Sequence, residues 1–255
     1  MAQLALRILR LLTQAVRLGR AELAALFALL IVAGGGMAFI EIADDATEAD
    51  GQGFDQAILA WLRPHADPHD ALGPPWLEHA MGELTALGGI APLILIASMA
   101  VIFLLLRRRY GSSLLVTLSL SGGVAISQSL KALYGRDRPP DIFRAEEVIN
   151  ASFPSGHAML STITYLTLGA LLAQAMDRRR LKVFVLAGAV LIAALVGVSR
   201  VYLAVHWASD VLAGWSLGAA WAMACWLVAW FIQRRKKPGL LRSGLSRKDP
   251  LVTGE

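Results

Sequence analysis

One cysteine in 255 residues, Cys225, leaves no partner for a disulfide and no thiolate set for a metal. Charge is scarce as well. Only 17% of residues are Asp, Glu, Lys or Arg, against 56% hydrophobic, and the mean hydropathy is +0.57. A water-soluble domain carries about a quarter charged residues, so this composition excludes an ordinary soluble fold and points to an integral membrane protein. The net charge of +5 does not indicate nucleic acid, because the basic residues fall in short clusters beside apolar runs, where they act as topology signals. No internal repeat is evident, and no clean small-x-small cleavage site precedes the acidic stretch that begins at Glu41.

What the chain does have is length in its apolar runs. Six segments approach the ~20 residues needed to cross a hydrocarbon core: Ala21–Ile40, Leu84–Leu106, Ser112–Leu133, His157–Met176, Leu181–Val198 and Ala208–Ile232. The third is interrupted by Ser119, Ser121, Ser127, Gln128 and Ser129, which suit helix-facing positions. The expected fold is therefore all-α, a single polytopic domain of six transmembrane helices spanning residues 1–255. Residues 1–20 set Arg7, Arg10, Arg17 and Arg20 among leucines, which reads either as a basic amphipathic helix on a membrane surface or as a cytoplasmic flank. Residues 234–255 form a basic tail.

The basic clusters at the N-terminal arm, Arg107–Arg109, Arg178–Lys182 and Arg234–Lys237 predict four cytoplasmic regions and both termini inside. The connection 41–83 then faces outward, and its ten acidic residues against the single Arg63 agree with that side. Within it, Phe54, Ile58, Trp61 and Leu62 predict a short interfacial helix before Pro64. His65 and His69 flank a proline, which favours a solvated turn over a paired-histidine metal site. Five cations break the pattern: Lys131, Arg136, Arg138, Arg144 and Arg200 all fall in outward-facing connections. Cations on that side ask for an anionic partner.

Three stretches there carry chemistry. Lys131 and Arg138, the latter held before Pro139, can grip a phosphate as a point charge and a two-pronged donor. Pro154-Ser155-Gly156-His157 runs into a helix. Ser155 suits its N-cap, Gly156 permits close backbone approach, and the free amides of the first turn favour an anion beside His157. Ser199 to Asp210 carries Arg200, His206 and Asp210, and a helical continuation would put His206 and Asp210 on one face. A carboxylate there holds one imidazole nitrogen and frees the other to react.

These segments resemble the three motifs of the type 2 phosphatidic acid phosphatases, the membrane branch of the bacterial acid phosphatase and vanadium haloperoxidase superfamily. Lys-x6-Arg-Pro is matched by Lys131, Arg138 and Pro139. Pro-Ser-Gly-His is matched by Pro154 to His157, and Ser-Arg-x5-His-x3-Asp by Ser199, Arg200, His206 and Asp210. The motifs cover residues 131–210.

The resemblance implies that Lys131, Arg138, Arg200, Ser155 and the amides near Gly156 bind the phosphoryl group. It further implies that His206 is the nucleophile, Asp210 its orienting carboxylate and His157 the general acid and then base. No cofactor or metal is implied, since the cations do the neutralising. The expected function is that of a bacterial-type lipid phosphatase of the inner or plasma membrane, acting on the non-cytoplasmic face through a phosphohistidine. Phosphatidic acid, phosphatidylglycerol phosphate, undecaprenyl pyrophosphate and a lipid A phosphate are the candidate phospholipid and isoprenoid-phosphate substrates. A phosphotransferase using the same site and a non-catalytic lipid transporter are the alternatives. Arg136 and Arg144 match no motif position and are expected to be headgroup contacts.

Overall fold

The computed structural model describes residues 2–47, 52–64, 67, 70–144 and 150–235. All regular structure among them is helical. Helix α1 is Ala2–Thr47, α2 Gln52–Leu62, α3 Pro75–Ala86, α4 Ile90–Leu106 and α5 Tyr110–Tyr134. A 3-10 turn at Asp141–Phe143 precedes α6 Gly156–Gln174, α7 Arg179–Tyr202 and α8 Ala208–Arg235. Five of these are long and apolar enough to cross a bilayer, and α3 with α4, bent by 44°, makes a sixth crossing when counted as one. Apolar side chains such as Leu26, Phe27, Ile94, Phe103, Leu118, Phe184 and Val190 point outward, as lipid-facing helices require.

Several boundaries differ from the sequence expectation. The arm and the first span form one unbroken helix, and that helix continues past Ile40 to Thr47. Glu41, Asp44 and Asp45 thus belong to its last turns rather than to the outer connection. The side chains of the arm's arginines lie outside the described residues, as do His65, His69 and the tail beyond Arg235. The short helix expected at Phe54–Leu62 is present as α2, but the same connection also contains α3.

The second span is broken at Leu87–Gly89, where Leu87, Gly88 and Gly89 close tight turns on Leu84, Thr85 and Ala86. Two glycines cost a helix stability, and Pro92 has no N–H to donate, so α4 starts afresh. A Cβ at Gly88 would lie 2.3 Å from Val196 Cγ1 and 3.4 Å from His157, so this break packs directly on the site.

Helices α6, α7 and α8 form the centre, with α1 and α5 around them. Close approach at α6 and α8 depends on Gly214 and Gly218. A Cβ at Gly214 would stand 2.8 Å from the Ser155 carbonyl, and one at Gly218 the same distance from that of Met159. Both obstacles are backbone and cannot rotate away. Small residues at a crossing are the usual means of bringing membrane helices together. We expect Gly214→Ala to lower the detergent-solubilised melting temperature, since overlap costing roughly 1–3 kcal/mol outweighs the propensity gain of up to about 1 kcal/mol. An unchanged or raised midpoint would contradict this packing.

Candidate active site

The site gathers at one end of the bundle, where α5, α6, α7 and α8 begin or end. Helix α5 stops at Gly135, in the left-handed region at φ 55°, whose amide closes on the Lys131 carbonyl at 3.1 Å. Lys131 therefore sits in the last turn, and Arg136 and Arg138 follow in the loop. The loop returns through Phe153, a buried ring packed 5.8 Å from Phe39 and 5.0 Å from Tyr134, centroid to centroid. That plug fixes the entry to α6. Ser155 caps α6 by accepting from the Ala158 amide at 3.5 Å, and its own amide donates to the Asp210 carbonyl at 3.0 Å.

Helix α7 ends in a Schellman turn: Ala204 N donates to Val201 O at 3.0 Å and Val205 N to Arg200 O at 3.2 Å. Ala204 takes φ 53°, a conformation usually left to glycine. The connection between α7 and α8 is consequently shorter than expected. Ser199 to Tyr202 are helical, and only Leu203 to Trp207 separate α7 from α8. His206 precedes α8 rather than lying on it, so its pairing with Asp210 is not the helical i,i+4 contact expected from spacing. Instead Asp210, in the first turn, reaches back: Oδ2 accepts from the Trp207 amide at 2.9 Å, the acid half of a capping box. The same oxygen faces His206 Nδ1 at 3.3 Å.

His206 is 3% exposed and held on both sides. Nδ1 meets Asp210 Oδ2 and Ser152 Oγ, each at 3.3 Å, and Nε2 lies 3.1 Å from Arg138 Nη1. A guanidinium can only donate, so Nε2 carries the lone pair and Nδ1 the proton. The same tautomer follows independently from the carboxylate at Nδ1. Burial pushes the His206 pKa down to about 3, with Asp210 opposing and Arg138 and Arg200 adding to the fall. The ring is neutral at ordinary pH.

Arg138 is lowered to about 10 by burial and by Arg200, which leaves it a cation at neutral pH. It donates from Nε to Asn150 O at 2.7 Å and from Nη1 to Val205 O. Lys131 Nζ donates to Ala151 O. Arg200, 2% exposed, donates from Nη1 to Thr85 Oγ1 at 3.1 Å, tying it to the end of α3. Lys131, Arg138 and Arg200 all act electrostatically on His157, at the first turn of α6. A Cβ on Gly156 would make van der Waals contact with Ser127 Oγ at 3.6 Å and Lys131 Cε at 3.8 Å, so the glycine sits beside the lysine. The structure thus brings Lys131, Arg138, Arg200, Ser155, Gly156, His157, His206 and Asp210 into one cluster. Ser155 Oγ faces the α6 amides as a cap.

Ser152, Thr85 and Asp55 were not singled out in the sequence, and Arg136 takes a different role from the expected one. Ser152 donates to Asp210 Oδ2, and Thr85 holds Arg200. Arg136, expected to be a headgroup contact, is instead clamped between two carboxylates: Nη1 to Asp210 Oδ1 at 2.7 Å and Nη2 to Asp55 Oδ2 at 2.8 Å. Asp55 comes from α2. Arg144 pairs with Asp141 and donates to Pro139 O at 2.7 Å within its own loop. Arg63 ties α2 to the site's framework, donating to Tyr202 O and Phe143 O, each at 3.1 Å, while burial lowers its pKa.

The model of the PAP2 superfamily matches residues 109–234 of this chain. A curated relative, phosphatidylglycerophosphatase B of Bacillus subtilis (strain 168), is 35% identical over 150 residues, which cover 56% of this chain and 71% of the relative. Among solved structures, the transmembrane PAP2-type phosphatidylglycerolphosphate phosphatase from Bacillus subtilis superposes with a TM-score of 0.69 at 28% identity. That match covers 83% of this chain and all of the other. Aquifex aeolicus LpxE shares the fold at a TM-score of 0.50 and 20% identity, over 69% of this chain and 94% of the other.

Proposed function

The chain belongs to the PAP2 superfamily, and from that premise we propose that it hydrolyses a phosphomonoester or pyrophosphate of a membrane lipid through a phosphohistidine on His206. The observation that carries the reading is the His206 environment. A neutral ring donates through Nδ1 to a buried carboxylate and turns its Nε2 lone pair to the Arg138 guanidinium, with Arg200 also acting on the ring.

A phosphoryl group entering beside Gly156 would take over the donors of Lys131, Arg138 and Arg200, which neutralise its oxygens and the charge that grows in transfer. The Nε2 lone pair forms the N–P bond as the P–O bond to the leaving group breaks. The arriving phosphate anion offsets the cations around His157, and the ring, protonated there, supplies the proton that leaves with the alcohol or phosphate. In the second half His157 takes a proton from water, the hydroxyl attacks phosphorus, and the N–P bond breaks to return neutral His206. Asp210 stabilises the imidazolium-like ring while phosphorus is attached.

By the positive-inside rule the reaction faces away from the cytoplasm, with both termini inside an inner or plasma membrane. Phosphatidylglycerol phosphate is the first substrate to test, because the curated relative and the better-matching solved structure are both named for that activity. Phosphatidic acid and an isoprenyl pyrophosphate complete the comparison.

Full-length protein in detergent micelles should release inorganic phosphate from at least one of these three lipids, in excess EDTA, and vanadate should inhibit. Activity lost to EDTA and restored by magnesium would overturn the all-cationic site. Binding of the lipids without any phosphate release would favour a carrier instead.

A further inference from the structure

We infer that Asp55 and Arg136, neither a phosphate ligand, are positioning residues that fix the carboxylate behind the nucleophile; this rests on His206 being that nucleophile. Arg136 lies two residues from Arg138 in a loop of phosphate-directed cations, yet it is engaged differently. Its side chain is 10% exposed, with Nη1 on Asp210 Oδ1 and Nη2 on Asp55 Oδ2, whose side chains are 0% and 2% exposed. Nη1 also donates to Ser209 Oγ at 2.8 Å, and the guanidinium covers the Trp207 ring at 5.7 Å.

A cation between two buried carboxylates is already neutralised and has little attraction left for a phosphate. The bridge also divides the work on Asp210 between its two oxygens. Oδ2 serves the nucleophile, accepting from Trp207 N and Ser152 Oγ and facing His206 Nδ1. Among the described residues, Oδ1 is held by Arg136 at 2.7 Å. Two-point restraint is what keeps a carboxylate plane from rotating, and the plane decides whether Oδ2 stays in line with Nδ1.

Asp55 extends that restraint to a third element. Its Oδ1 accepts from the Ser209 amide at 2.9 Å, and its Oδ2 accepts from the Ser209 hydroxyl as well as from Arg136. A residue of α2 thereby caps the first turn of α8, the turn that carries Asp210. Helix α2 ends 69 residues before Lys131 and 144 before His206 in sequence, yet it completes the support of the nucleophile. Buried carboxylates are costly unless paired, and Asp55 buried at this point, with these three partners, has no other evident purpose than to hold that turn.

The test compares Asp55→Asn and Arg136→Gln with wild type in detergent, reading kcat and KM on two lipids of different headgroup, phosphatidic acid and phosphatidylglycerol phosphate. Each variant should lose kcat by about 10- to 100-fold, by the same factor on both lipids, with KM within about threefold. The double variant should fall no more than about threefold below the worse single one, because the two residues act as one bridge. A raised KM at unchanged kcat, losses that depend on headgroup, or losses that multiply would overturn the inference. Should either variant fail to fold, Arg136→Lys keeps the charge but cannot span both carboxylates. It should still lose kcat, and wild-type kcat in it would overturn the inference. Base-quenched phosphohistidine from wild type is the separate control. Its absence defeats the parent reading, whereas its formation at the wild-type rate in both variants defeats only this one.

Discussion

His206→Ala should lower turnover by roughly five to six orders of magnitude, to the background of the assay, with no base-stable phosphoprotein formed. That is about 7–8 kcal/mol of barrier, more than any single phosphate donor supplies. The fold should survive. Asp210 keeps its contacts with Arg136, Ser152 and the Trp207 amide when the ring is removed, so no charge is stranded. A melting temperature within a few degrees of wild type, together with absent turnover, identifies the nucleophile. Turnover within a hundredfold of wild type would remove His206 from that role.

The acid limb of the reaction carries a related expectation. A nucleophile with pKa about 3 remains neutral as pH falls from 7 to 5, and so does not set a limb there. A limb in that range belongs to the substrate or to His157 as the base for water, and the substrate's part should move when a phosphomonoester is exchanged for a pyrophosphate. A limb near 6.5 that ignores the substrate and persists in the burst of phosphoenzyme formation, where His157 does not act as a base, would mean that the His206 ring is not desolvated in the working enzyme.

The sequence was informative where chemistry demands fixed spacing. Lys131, Arg138, His157, Arg200, His206 and Asp210 could be selected because costly groups recur beside apolar runs at set intervals. Their convergence required only that the loops face one side. Supporting partners are harder to read. Asp55 was one acidic residue among ten in an acidic stretch, and nothing local distinguishes a carboxylate that will be 2% exposed from its solvated neighbours. Its burial depends on α2 folding back over the start of α8, a contact across more than 150 residues. Arg136 did carry a signal, as a cation on the side where topology does not call for one. That signal separates it from ordinary flanking charge but not from the phosphate ligands nearby. Ser152 and Thr85 are small hydroxyls whose roles exist only in three dimensions. The break in the second span was foreshadowed by Gly88-Gly89 and Pro92, but a mean hydropathy over the whole run conceals it.

Asp210→Asn should cost about three to four orders of magnitude in kcat while leaving the protein folded. The exchange is nearly isosteric, and the amide oxygen can retain either the Arg136 or the Trp207 contact, but not all that Oδ1 and Oδ2 make together. With the oxygen toward Arg136, the amide NH2 faces His206 Nδ1. Two donors cannot share that gap, so the ring turns to the tautomer with its proton on Nε2. That proton occupies the orbital meant for phosphorus and confronts Arg138 Nη1, 3.1 Å away in the wild-type arrangement. With the oxygen instead toward Nδ1, the NH2 meets Arg136, and a half-neutralised guanidinium is left beside Asp55. Either way the nucleophile is disarmed by its support rather than by its own removal. The Asn variant should therefore bind vanadate within about tenfold of wild type, because Lys131, Arg138 and Arg200 are untouched. Strong vanadate binding with lost turnover would separate orientation from phosphate binding. Parallel loss of both, in a folded variant, would instead make Asp210 part of the anion site and redistribute the roles assigned here.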